Sequence, residues 1–256
     1  MGGIPAPVPR RTGRSAGSLA AWTRKNHAAT LAQDRKAMSE IALEFEALID
    51  GLLETRLRAG TDPKTDLTAA LMSEKVWGRP LSNEEVASIL RNWTVGEIGT
   101  ISAAAGILAH CLAGHPELQG QLRSQPDLPP SAIEEILRIH GPLVLARRVT
   151  TRPVEIGGRK IGKGERVSLN WISANRDEGV FDDPDSFRLD RDPDKNLLYG
   201  AGIHFCPGAP LARLELRVFI EELLARTRGV AAVPEKPATL AVYPAGGFAT
   251  LPLRVA

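Results

Sequence analysis

The stretch LLYGAGIHFCPGAPLARLEL, Leu197 to Leu216, limits the fold more than any other part of the chain. Gly200, Gly202 and Gly208 alternate with Pro207 and Pro210, which keeps regular structure out until an amphipathic helix opens at Ala209. Cys206 is thereby fixed in a tight loop directly ahead of a helix N-terminus. Free main-chain N–H groups in such a loop and at such a terminus favour the deprotonated thiol.

The chain around this loop changes texture once. From Leu31 to Ala59, Met38, Ile41, Phe45, Leu48, Ile49, Leu52, Leu53 and Leu57 recur at helical spacing, and Gly60 closes the run. A short helix follows near Asp66 to Ser73. Ser82 with Glu85 forms a capping box that starts a long helix from about Asn83 to Ala113. Pro116 begins another helix, and LPPSAIEEILRIHG predicts one more, capped by Ser131 and stopped at Gly141. RRVTTRPVEIGGRKIGKGERVSLN then alternates β-branched segments with glycines, as a small antiparallel meander does. Asp177 to Lys195 reads as an ordered loop, and the tail as two short strands around Gly246-Gly247. The class expected is mainly α with small β-meanders (α+β), with an irregular arm over residues 1–30 and the folded region over residues 31–256.

Composition excludes several functions. A net charge of +2 gives no ground for nucleic acid as a partner. Cys111 and Cys206, the only two cysteines, make no disulfide framework, so a reducing, cytoplasmic compartment is expected. The longest apolar run, ISAAAGILAHCLAG, reads as too short for a membrane span. The Arg-rich, acid-poor opening superficially matches a transit peptide, but its proline content reads more simply as a loop.

Four readings of Cys206 compete: a buried structural thiol, a zinc ligand, a nucleophile and a haem thiolate. Zinc needs about four ligands, and five scattered histidines with two cysteines show no paired spacing. A Cys–His nucleophile needs its base across the site, whereas His204 is two residues away in sequence. The haem reading explains the neighbours, because glycines let a flat macrocycle approach a screened thiolate.

YGAGIHFCPG resembles the cysteine-ligand signature of the cytochrome P-450 haem-thiolate monooxygenases, with Tyr199 where the family usually has phenylalanine. EILR is similar to the Glu-x-x-Arg of the family's core helix, and Arg191 in FRLDR falls where the family completes that network. The resemblance implies haem b (iron protoporphyrin IX) with Cys206 as axial ligand and Gly200, Gly202 and Gly208 shaping the loop. It places Arg148 on one propionate, with His204 on the other or assisting. Glu135, Arg138 and Arg191 become a buried structural network. It further implies a small organic substrate and an electron-donor protein of ferredoxin or flavodoxin type with its reductase.

In the long helix, GEIGT falls where the family has an acid followed by threonine: Thr100 matches, and Gly99 replaces the acid. Thr100 is the candidate catalytic residue, steering protons to bound oxygen. The missing acid opens a peroxide-driven alternative. The resemblance begins deep inside the family pattern, whose N-terminal β-rich domain and first helices have no counterpart here. That is expected to weaken haem binding and promote self-association, and makes a non-catalytic haem-binding remnant a further reading.

Overall fold

The computed structural model describes residues 16–243 and 245–256. They divide into two compact units between Ile98 and Gly99.

The first unit holds α1 (Ala16–Leu31), α2 (Arg35–Ala59), α3 (Leu67–Ser73), the hairpin β1 (Lys75–Val76) and β2 (Arg79–Pro80), and the start of α4 (Asn83–Gly114). Ile41, Phe45, Ile49 and Leu53 form the buried stripe of α2, as their spacing predicts. Trp22 on α1 packs its ring 4.4 Å from Phe45 and donates its indole N–H to the Ile41 carbonyl at 3.1 Å. The expected irregular arm is therefore corrected from residue 16 onward, because α1 is ordered by the apolar face of α2. The transit-peptide reading and the rest of the arm, residues 1–15, lie outside the described residues. Gln33, at φ +54°, separates the two helices, and Asp34 caps α2 by accepting from the Ala37 N–H at 3.0 Å. The Ser82–Glu85 capping box forms in both directions, at 3.2 and 2.8 Å.

The second unit holds the remainder of α4, α5 (Pro116–Ser124), α6 (Pro129–Ile139), α7 (Trp171–Ala174) and α8 (Ala209–Arg226). Its core joins Leu108 and Leu112 of α4, Leu118 and Leu122 of α5, Ile133, Ile136 and Leu137 of α6, and Leu216, Ile220 and Leu224 of α8. α6 starts before Ser131: Pro129 and Pro130 take the first two helical positions, where their missing N–H groups cost nothing, and Ser131 lies inside the helix. Four antiparallel pairs complete the unit: β3 (Leu145–Val149) with β6 (Arg166–Asn170), β4 (Val154–Ile156) with β5 (Arg159–Ile161), β7 (Val230–Ala232) with β10 (Leu253–Val255), and β8 (Thr239–Leu240) with β9 (Phe248–Thr250).

By length and composition α4 as a whole, which begins at Asn83 ahead of the apolar run, is long and apolar enough to cross a membrane, with a window of mean hydropathy 1.4. A core helix passes the same test, and Ala104, Ile107, Leu108 and Leu112 of α4 pack in the core of the second unit.

Candidate functional site

Gly200 and Gly202 take φ +75° and +60°, the left-handed region that side chains with a Cβ adopt at a cost. A Cβ on Gly200 would also sit 3.1 Å from the His204 carbonyl oxygen, so both conformation and space require glycine there. Gly208 differs from expectation. Its φ of −82° is open to any residue, and what it provides is proximity, since a Cβ there would stand 3.7 Å from the Cys206 sulfur. The turn is closed by the Cys206 N–H donating to the Tyr199 carbonyl at 2.8 Å. Cys206 is half-buried, just ahead of the α8 N-terminus, and its carbonyl accepts the Ala209 N–H of the first turn at 3.2 Å.

Tyr199 stacks under the Arg213 guanidinium, 4.6 Å from the ring centre, and its buried hydroxyl has no hydrogen-bond partner among the described residues. Burial, aided by the charge of Glu134, pushes that phenol up to about 12. The other cysteine, Cys111, has its thiol pushed up by burial and by Glu117, consistent with an inert role.

Glu135, Arg138 and Arg191 come together as expected. Arg138 Nε and Nη2 donate to the two Glu135 carboxylate oxygens at 2.8 and 2.9 Å, and Arg191 Nε donates to Oε1 at 3.0 Å. The Arg188 N–H adds a bond to the same oxygen at 3.1 Å. Burial alone would raise the Glu135 carboxyl, but these donors, Arg138 foremost, hold it below its ordinary range. Both arginines lie against Phe181, at 4.9 and 6.0 Å from its ring centre, and spend their remaining N–H groups on the carbonyls of Asn175, Asp182, Asp183, Pro184 and Ser186. The cluster ties α6 to the irregular segment that leads into the cysteine loop.

Thr100 is half-buried on α4, and a Cβ on Gly99 would meet nothing within 4 Å. Arg148 lies on β3, with Nη1 donating to the Arg147 carbonyl at 2.9 Å, and His204 is exposed on the cysteine loop. Two residues missed in the sequence hold the loop: Asn175, 1% exposed, and Asn196. A lone asparagine in a polar stretch reads as a turn residue, and no spacing signal reveals a partner more than twenty positions away.

The family model described as Cytochrome P450 matches residues 128–228, which contain the whole Glu135 cluster and the cysteine loop. The methyl-branched lipid omega-hydroxylase of Mycobacterium tuberculosis is 39% identical over 227 residues, covering 87% of this chain and 52% of that protein. The cyclomarin C epoxidase CymV of Salinispora arenicola is 38% identical over 194 residues, covering 75% of this chain and 49% of that protein. Among solved structures, CYP109E1 of Bacillus megaterium, in complex with testosterone, superposes with a TM-score of 0.82 at 27% identity, over 91% of this chain and 64% of that one.

The chain belongs to the cytochrome P450 family. It spans about half the length of the curated relatives it matches. Membership brings a haem cofactor, and the residues present fit one. A half-buried thiol stands at a helix N-terminus in a loop whose glycines carry no Cβ, and apolar Ile203 and Phe205 flank it in the open, at 97% and 49% exposure. A large flat apolar ligand covering those side chains removes from water the surface they now present.

Proposed function

We propose that this chain carries the haem-binding part of a monooxygenase that inserts one oxygen atom of O₂ into a small organic substrate with electrons from a protein donor. The observation that carries the reading is Cys206, the half-buried thiol at the α8 N-terminus. Haem b bound there supplies iron that activates oxygen, and a thiolate ligand donates the electron density that favours O–O cleavage. The protein's part is to present the sulfur at the α8 N-terminus through the glycine loop, and to fix its position through the Glu135 cluster. Arg148 on β3 is assigned to one propionate, and the exposed His204 of the cysteine loop to the other, or to assisting it. Thr100 is assigned the handling of protons on the oxygen side, through its hydroxyl on α4.

The names of the relatives, a hydroxylase and an epoxidase, support oxygen insertion into an organic molecule. The free thiols suit a reducing cytoplasm. A ferredoxin or flavodoxin with its reductase is the donor expected.

Gly99 favours a second reading, peroxide-driven oxygenation, because no acid stands beside Thr100 to relay protons. Product formation in ¹⁸O₂ separates the two. Labelled oxygen in the product with a ferredoxin–reductase system supports the first reading. Product only with added H₂O₂, and unlabelled, supports the second and overturns the first.

A further inference from the structure

Asn175 touches both the buried ion-pair cluster and the entrance of the cysteine stretch. Its carbonyl accepts Arg138 Nη1 at 2.6 Å, its Oδ1 accepts the Leu197 N–H at 2.8 Å, and its Nδ2 donates to Asn196 Oδ1 at 3.0 Å. Asn196 Oδ1 also accepts the Leu198 N–H at 2.9 Å. Its Nδ2 donates to the Glu134 carbonyl and Oε2 at 3.2 and 3.3 Å, while Glu134 Oε1 takes Arg213 Nε at 2.7 Å. The two consecutive amides that lead into the loop are thus gripped by two side-chain amides, anchored to α6 through Arg138 and Glu134 and to α8 through Arg213. Two main-chain bonds carry the constraint to the thiol: Gly200 N–H to the Leu197 carbonyl at 2.9 Å, and Cys206 N–H to the Tyr199 carbonyl at 2.8 Å.

We propose that Asn175, with Asn196 as its partner, is a positioning residue that sets the register of the cysteine loop against the Glu135–Arg138–Arg191 cluster and so holds Cys206 where a haem iron can take its sulfur. This rests on the reading of Cys206 as the haem ligand. The chemistry requires asparagine. The side chain must accept at one atom and donate at the next, in a site too buried for water to substitute. Aspartate keeps the acceptor for Leu197 but sets a carboxylate oxygen against Asn196 Oδ1. Leucine fills a similar volume and offers neither. Glutamine displaces both atoms by a methylene.

Amide hydrogen exchange in the haem-free full chain tests the positioning without the cofactor. Asn175→Leu should accelerate exchange across residues 197–206 at least about tenfold, the consequence of losing two buried side-chain hydrogen bonds, and leave α6 and the C-terminal half of α8 within about twofold. Asn175→Asp should fall between leucine and the native residue. Asn196→Ala reports on the same loop should Asn175→Leu not accumulate. In the haem-loaded, reduced and CO-treated protein, the thiolate-ligated share of the Soret band should decrease in the same order. Equal acceleration in the loop, α6 and α8 would make Asn175 an ordinary stabilising residue and overturn the proposal, as would unchanged exchange over residues 197–206. A native chain without any thiolate-ligated band would defeat the ligand reading, while exchange would still decide the positioning role.

Discussion

Replacing Arg138 by methionine removes four short hydrogen bonds from a buried site: two to Glu135, one to the Asn175 carbonyl and one to the Pro184 carbonyl. Glu135 stays 4% exposed, with only Arg191 Nε and the Arg188 N–H to hold its charge. Breaking a buried pair by removing one partner costs about 3–5 kcal/mol, and that range already includes the stranded carboxylate. Against a total stability of about 5–15 kcal/mol, this shifts the folding equilibrium more than a hundredfold. The assay is urea denaturation followed by circular dichroism and by Trp171, the only tryptophan after Ile98, with the midpoint moving and the slope kept. The double variant Glu135→Leu/Arg138→Met should recover part of that cost relative to the single one, since it removes the stranded carboxylate, but not all of it, because Arg191 Nε and the Arg188 N–H then lose their acceptor. A single-variant cost below about 1 kcal/mol, or a double variant worse than the sum of its parts, would refute the reasoning. The same cluster sets an acid limit. Because the native Glu135 carboxyl lies below its ordinary value, its contribution is full above about pH 4.3 and is lost as pH falls through the native value. Glu135→Gln should flatten that limb.

Two glycines should respond with opposite signs in thermal melts. Gly200→Ala is strained by its φ of +75° and by the His204 carbonyl at 3.1 Å, and should cost more than about 1 kcal/mol, whereas Gly99→Ala, with open space around it on α4, should gain about 0.5–1 kcal/mol. Tyr199→Phe removes a buried hydroxyl with no partner and should raise stability by about 1 kcal/mol. In the native chain the Tyr199 phenol should ionise, read as tyrosinate absorbance, only towards about pH 12. Since the native phenol is raised, its contribution is full below the unfolded value near 10 and fades above it. Thr100→Ala in haem-loaded protein should increase the fraction of reducing equivalents released as peroxide, and unchanged coupling would remove Thr100 from proton handling.

What could be read from the sequence was whatever rests on local chemistry. The Ser82–Glu85 box, the Ile41–Leu53 stripe and the glycine-punctuated cysteine loop depend on neighbours within a few residues, so their residue types announce them. Glu135 and Arg138 were visible as a pair at helical spacing, but their burial required Phe181, Arg191 and five carbonyls from a segment that begins 37 positions beyond Arg138. α1 escaped notice because its ordering comes from Trp22 meeting Phe45 and not from a strong stripe of its own. The start of α6 was misplaced because serine is a familiar cap, whereas the two prolines before it already have the φ of a first turn. Asn175 and Asn196 were invisible because nothing local separates a buried amide clamp from a turn residue.

The central claim is that Cys206, and not Cys111, gives its sulfur to a haem iron. Haem-loaded native, Cys111→Ala and Cys206→Ala chains, reduced and treated with CO, test it in one spectrum each. The account predicts the red-shifted Soret band of a thiolate-ligated haem in the native chain and in Cys111→Ala, and its loss in Cys206→Ala. Retention of that band in Cys206→Ala with loss in Cys111→Ala would contradict it.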